Sequence, residues 1–344
     1  MNLEKLIRKN IGELKPYSSA RDEFKGEASV YLDANENPYN QPYNRYPDPL
    51  QWKVKEKIGS LKGVSSSSIF LGVGSDEPID LLMRAFCEPN KDNIVMPTPT
   101  YGMYQVAANI NAVECRMVPL NENFDLNAST LLSATDENTK LIYLCSPNNP
   151  TGNSLNEEEI TQILEAFQGI VVIDEAYIDF STRPSLIPNL KKYSNLVILQ
   201  TFSKAWGMAG IRLGMAFASE EIIQILNKIK YPYNINILTQ NHVLNALELD
   251  NVGQVKKWVD ELLVEREKLV KELTAIKCIT SIYPSDANFI LVQTTDANKI
   301  YAELVEKGIV VRNRNNVMLC LGCLRITVGI PDENNVLIEA LKTI

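Results

Sequence analysis

Short apolar runs recur along this chain at residues 69–73, 93–96, 113–118, 141–145, 170–173, 196–199 and 213–217, with amphipathic stretches between most of them. Unbroken aliphatic runs of that length fit strands buried on both faces, and helices alternating with them mark a mostly parallel sheet covered on both sides. Helical periodicity is expected at 50–61, at 76–86, from 101 onward and after 151. Only residues 202–211 separate the last two runs, too few for a helical crossover, so those strands should be antiparallel if they are neighbours. A long helical region with interleaved charges follows at 237–276 and can bridge two domains. Beyond it come a strand at 289–292, a helix at 298–307, strand-like runs at 308–312, 317–321 and 324–328, and a closing helix.

The fold class expected is α/β, a large mostly parallel sheet with helices on both faces, joined by a smaller α+β domain and an N-terminal arm. Single cores stop growing at about 250–300 residues, so a 344-residue chain calls for two. The expected division is 1–45 for the arm and part of the small domain, 46–255 for the large domain and 256–344 for the small one. Residues 1–45 are polar, irregular and rich in Asn, Pro and Tyr after a first short helix. They read either as a loosely packed terminus or as a segment lying on a partner subunit.

Composition narrows the functional classes. Apolar residues make up 45% and charged residues 22%, as in an ordinary folded soluble protein. A net charge of −8 argues against non-specific nucleic-acid binding, so any anion site must be a local cluster of cations. No apolar run approaches the ~18 residues of a membrane span, and the charged start MNLEKLIRKN has no signal core; a cytoplasmic protein is expected. Cys320 and Cys323 form a lone CxxC with no second pair, and strand packing is the default reading over zinc or redox chemistry. One histidine, His242, serves the whole chain, so histidine-based mechanisms are poorly supplied and no metal is expected.

Candidate chemistry gathers where strands end. Lys204 follows the run at 196–199, with Thr201 and Ser203 beside it and Arg212 eight residues on. Carboxyl ends of parallel strands are where such sheets hold ligands, so this is either a phosphate clamp next to a Schiff-base amine or a surface lysine in a loop. Gly72 and Gly74 suggest a dinucleotide fingerprint, but Glu77 stands where its third glycine belongs. What survives is a helix start at Ser75 and Asp76, with Pro78 in the first turn, whose free N–H groups suit a phosphate or belong to a plain capped helix. Asp174 ends a β-branched run where an ionised carboxylate needs a partner: a helix N-terminus, an ion pair or a cationic ligand nitrogen.

The set SPNNPTG (146–152), DEAY (174–177) and SK with Arg212 resembles the fold-type I pyridoxal 5′-phosphate (PLP) aminotransferases. Within them, YLDANENPY (31–39), RYPDP (45–49), PTYGMYQ (99–105) and GCLRITVG (322–329) resemble the histidinol-phosphate aminotransferase family, in order from arm to C-terminus. The resemblance implies that Lys204 carries the cofactor covalently, that Asp174 pairs with its pyridine nitrogen, and that Tyr177 and Asn149 contact its 3′-oxygen while Tyr101 stacks on the ring. It also implies a phosphate site made of the Ser75 and Asp76 backbone, Thr201, Ser203 and Arg212, completed by Tyr46 from the other subunit of a homodimer. Arg325, Arg312 and Tyr17 would receive substrate anions, the substrates being histidinol phosphate and glutamate or 2-oxoglutarate. Trp206 departs from the family pattern, which has a smaller aromatic there. An aromatic or broad-specificity aminotransferase would share every cofactor residue, and a decarboxylase of a phosphorylated amino acid would share the fold. A PLP-sensing regulator would need a DNA-reading module that residues 1–45 do not supply.

Overall fold

The computed structural model describes residues 3–17, 24, 26 and 28–344; the stretch of the expected arm at 18–23 lies outside the described residues. Seven strands form the main sheet: β1 (Ile69–Val73), β2 (Asn93–Thr98), β3 (Glu114–Pro119), β4 (Thr139–Cys145), β5 (Ile170–Asp174), β6 (Leu196–Thr201) and β7 (Leu213–Phe217), in the order β1-β7-β6-β5-β4-β2-β3. Every neighbouring pair is parallel except those made by β7, which runs antiparallel to both β1 and β6. The short 202–211 connection therefore has the consequence expected of it.

Strand side chains alternate between two cores. Leu71, Val95, Ile142, Leu144, Val171, Ile173, Ile198 and Met215 pack on one face, and Phe70, Ile94, Leu141, Tyr143, Val172, Val197 and Ala216 pack on the other. Burial on both faces explains why these strands read as continuous apolar runs rather than alternating ones. The helices Asp76–Phe86 and Glu220–Ile229 cover the second face.

The smaller sheet is antiparallel, built from β8 (Ile279–Ile282), β9 (Phe289–Thr294), β10 (Arg312–Asn313) and β11 (Cys323–Thr327) in the order β10-β11-β9-β8. Ile290, Val292, Leu324 and Ile326 point into its own core with the helices Ala297–Glu306 and Pro331–Lys342. The opposite face carries Phe289, Leu291 and Cys323, which join the core of the large sheet, and this alternation turns Arg325 the same way.

Several expected elements differ. The helical region at 237–276 is two helices, Ile237–Ala246 and Leu249–Leu273: Glu248 takes an extended conformation (φ −69°, ψ 146°) and Asn251 Nδ2 donates to Asn245 O at 2.8 Å across the break. Leu249–Leu273 packs Val259 into the large core and Leu269 and Leu273 into the small one. Strand-like 308–312 shortens to Arg312–Asn313 after Gly308 (φ 77°), and 317–321 is turn, because Leu319 (φ 61°) and Gly322 (φ 74°) both adopt left-handed conformations. The helices Ala128–Ser133 and Glu220–Ile229 and strand β8 are additional. Cys320 and Cys323 are unbridged and buried in the large core. Among the described residues no helix is long and apolar enough to cross a membrane, and no group of His, Cys, Asp or Glu could hold a metal ion.

Candidate active site

A cavity of about 390 Å³ opens at the carboxyl ends of the parallel strands and is roofed by the smaller sheet. Its lining includes Ser75, Asp76, Tyr101, Asn149, Asp174, Tyr177, Thr201, Ser203, Lys204, Arg212, Arg312 and Arg325, so residues from across the sequence meet in one place.

Close backbone approaches shape its floor. A Cβ on Gly214 would lie 2.2 Å from Ser75 N, and a Cβ on Gly74 (φ +70°) would lie 2.7 Å from Arg212 Nη2, so both positions need glycine for β7 to reach the loop after β1. Arg212 adopts a left-handed conformation (φ 57°, ψ 47°). Its Nη1 donates to Ser203 Oγ at 3.4 Å, and its Nη2 lies 3.7 Å from Asp76 Oδ2. Thr201 Oγ1 donates to Ser203 Oγ at 3.0 Å. Ser75 occupies the N-cap of Asp76–Phe86 without a side-chain cap bond, and Asp76 Oδ1 accepts instead from Tyr101 Oη at 3.1 Å. Guanidinium, two hydroxyls and an uncapped helix start together make an anion-binding corner.

Asp174 is wholly buried at the end of β5. Tyr104 Oη donates to its Oδ2 at 2.8 Å and Ala176 N to its Oδ1 at 3.0 Å. Neither a helix N-terminus nor an ion pair among the described residues answers it. Burial raises its pKa to about 6 against the pull of those two donors. Neighbouring Glu175 is absorbed by the scaffold, accepting from Ser185 Oγ, Leu186 N and Gln200 Nε2.

Lys204 Nζ lies 5.5 Å from the centroid of the Tyr177 ring and is open to the cavity. Burial, then the charges of Arg325 and Arg212, lower its pKa, with Asp174 opposing. Asn149 Nδ2 donates to Tyr177 Oη at 3.4 Å, while its Oδ1 accepts from Arg325 Nη1. The Arg325 guanidinium also stacks 5.0 Å from the Phe289 centroid, which fixes its plane.

Two expected residues do not line this cavity. Tyr17 is 71% exposed, beyond the short helix Lys9–Glu13. Tyr46 stacks on Tyr233 with centroids 4.4 Å apart, beside a separate surface cleft. Conversely, Tyr104 and Arg314 belong to the site and were not singled out by sequence. Arg314 could have been found from Arg312, since residues two apart in an extended strand share a face.

The family model for aminotransferase class I and II matches residues 25–341. The chain belongs to this aminotransferase family. A relative from Parabacteroides distasonis, named histidinol-phosphate aminotransferase, is 61% identical over 341 residues, covering 99% of this chain and 98% of that protein. The histidinol-phosphate aminotransferase structure from Clostridium acetobutylicum superposes with a TM-score of 0.80 at 26% identity, over 88% of this chain and 90% of the other. That from Sinorhizobium meliloti, solved in complex with pyridoxal-5′-phosphate, has a TM-score of 0.80 at 24% identity, over 87% and 82% of the two chains, a likeness of fold. For an aminotransferase, an amine of lowered proton affinity facing a buried carboxylate and flanked by an anion-binding corner is the arrangement the chemistry asks for.

Proposed function

We propose that this aminotransferase uses PLP to exchange the amino group between histidinol phosphate and 2-oxoglutarate, giving imidazole acetol phosphate and glutamate. The observation that carries the choice of substrate is the 61% identity, over nearly the full length of both chains, to a protein named for that activity.

The lining fits the cofactor. Its phosphate suits the corner formed by the Ser75 and Asp76 backbone, Thr201, Ser203 and Arg212. Its protonated ring nitrogen suits Asp174, a buried carboxylate otherwise held only by neutral donors. Tyr177 and Asn149 are the groups for the 3′-oxygen, Tyr101 for the ring face, and Lys204 for the covalent link. When bound, the cofactor supplies an electron sink for the pair left by a broken bond at the amino-bearing carbon of the substrate.

The residues of this chain do the rest. Asp174 would hold a proton on the ring nitrogen, whose positive charge favours the ionised carboxylate, and the Tyr104 and Ala176 donors keep that carboxylate oriented. Lys204 Nζ, whose proton affinity is lowered by burial and nearby guanidinium groups, carries a proton from the amino-bearing carbon and returns it on the other side of the exchange. Arg325, held by Phe289 and Asn149, grips the substrate anion, accepting a carboxylate in one half-reaction and a phosphate in the other. Arg312 pairs with Arg325 across β10 and β11 and adds a second cation on the same face. A homodimer completes the site, Tyr46 of each chain reaching its partner's phosphate corner; its exposed position outside its own cavity supports this reading. Tyr17, more exposed still, would join Arg325 and Arg312 in receiving a substrate anion.

An amino-donor screen of the purified, PLP-loaded protein tests the reading, monitoring cofactor absorbance and the keto product. Histidinol phosphate and glutamate should be the best donors. Faster conversion of phenylalanine or tyrosine would assign a broad or aromatic aminotransferase instead, and release of carbon dioxide a decarboxylase.

A further inference from the structure

Three guanidinium groups converge on the substrate side of the cavity. Arg312 lies opposite Arg325 in the β10–β11 register. Arg314 follows two residues later, its backbone N–H donating to Cys323 O at 2.9 Å, so the ladder continues one step past β10. Arg312, Arg314 and Arg325 therefore project from the same face of the sheet and all line the cavity. None of the three has a carboxylate partner among the described residues. Arg325 spends one nitrogen on Asn149, but its Nε and the Nε of Arg314 are buried with no hydrogen-bond acceptor.

A buried donor without an acceptor is costly, and so is a cluster of like charges. Burial, then the charges of Arg325 and Arg312, lower the pKa of Arg314 to about 10, far below the usual range of an arginine. Counting the whole lining, Lys204, Arg212, Arg312, Arg314 and Arg325 face only Asp76 and Asp174, five cations against two carboxylates. Arg212 and Asp76 sit together in the corner below, which leaves the upper trio without counter-charge.

We propose that Arg314 is a specificity-determining residue, donating to the phosphate of a phosphorylated substrate and selecting a dianion over a carboxylate. This rests on the substrate reading given above. Glutamate spreads two negative charges over two separate carboxylates, each of two oxygens, which Arg325 and Arg312 can satisfy. A phosphate monoester offers close to two charges and three oxygens, enough to engage a third guanidinium. The added cation gains more from the dianion, so Arg314 shifts preference rather than adding equally to every substrate.

The test compares the PLP-loaded wild type with Arg314→Gln and Arg314→Lys. Each half-reaction is followed through cofactor absorbance, with histidinol phosphate and with glutamate, and methyl phosphate serves as a non-reacting probe whose dissociation constant is titrated between about pH 5 and 8. Arg314→Gln should weaken histidinol phosphate and methyl phosphate by on the order of 10- to 100-fold, the loss expected for a charge-assisted hydrogen bond, and should weaken glutamate several-fold less. Wild-type affinity for methyl phosphate should rise as the probe loses its second proton near about pH 6, and the rise should flatten in Arg314→Gln. Arg314→Lys, which keeps the charge, should recover most of the loss and guards against a folding defect in the glutamine variant. Equal losses for both donors, or unchanged affinity for methyl phosphate in Arg314→Gln, would overturn the proposal. A wild type that binds methyl phosphate through Arg314 yet ignores histidinol phosphate would keep this inference and remove the substrate reading.

Discussion

Tyr104 and Asp174, seventy residues apart in sequence, meet at 2.8 Å with both side chains buried, and the phenol is the only side-chain donor to the carboxylate among the described residues. Tyr104 is held edge-on to Tyr101 and stacked on Tyr143, so the hydroxyl has little freedom to turn away. Tyr104→Phe keeps the packing and removes the donor. Hydrogen bonds to a charged group contribute about 1.5–3 kcal/mol, so the proton affinity of the carboxylate should rise by roughly one pH unit or more. The acid limb of the glutamate half-reaction should move up by that amount; an unmoved limb would make the contact purely structural.

Asp174 itself lowers the stability of the cofactor-free protein at neutral pH. Its pKa is raised from 3.8 to about 6, chiefly by burial. The protonated form therefore favours the fold below about pH 4, and that contribution is lost as pH rises through about 6. A shift of this size corresponds to about 3 kcal/mol. In urea denaturation of the apoprotein, Asp174→Asn should exceed the wild type in stability above about pH 7, and the gap should close toward about pH 4. The same variant should retain PLP yet slow proton removal severely, since an amide cannot hold the ring nitrogen protonated.

Lys204 should be the one lysine labelled when the PLP-loaded protein is reduced with borohydride and mapped by peptide. Lys204→Ala should still bind the cofactor through Arg212, Ser203 and the helix start, and lose turnover by several orders of magnitude because nucleophile and base disappear together. A label on any other lysine contradicts the assignment.

Arg325→Ala removes a guanidinium fixed by Phe289 and Asn149. Loss of a buried cation to anion contact costs about 2–5 kcal/mol, so binding should weaken in both half-reactions. Damage confined to the glutamate half would place the phosphate with Arg312 and Arg314 alone.

Subunit crossing is read by complementation. Mixing Lys204→Ala with Tyr46→Phe protein should give hybrid dimers in which one site carries neither change, and activity should exceed that of either parent. No recovery on mixing would place Tyr46 in its own chain's site.

The large sheet was legible because strands buried on both faces must be continuously apolar, and the direction of β7 followed from the length of the loop before it. Most of the cavity lining was legible for a related reason: it sits at strand ends, where a polar residue interrupts an apolar run. The helix Glu220–Ile229 carries a readable start, Ser219 followed by two glutamates. Tyr104 was different, since nothing within its own helix signals a partner at the end of β5. Arg314 was obscured by ending the strand at Arg312, although the ladder runs one step further and strand alternation then sets Arg314 on the face of Arg312; the left-handed turn at Leu319 has no signature in a leucine side chain, so 317–321 reads as a strand.

The cavity-lining groups suited to the cofactor stand at the strand ends of the seven-stranded sheet and in the loops that follow them, and the three substrate-side arginines stand on the four-stranded sheet or one residue past its edge strand, across a helix whose two ends lie in different cores. Reaction and recognition thus ride on separate scaffolds. Changes along β10 and the turn after it can retune which acid or ester is accepted without touching the strands that carry the lysine and its carboxylate, whereas Arg325 on β11 also bears on the proton affinity of Lys204, so the replaceable surface on which a lineage, or an engineer, could exchange one amino donor for another lies on the β10 side.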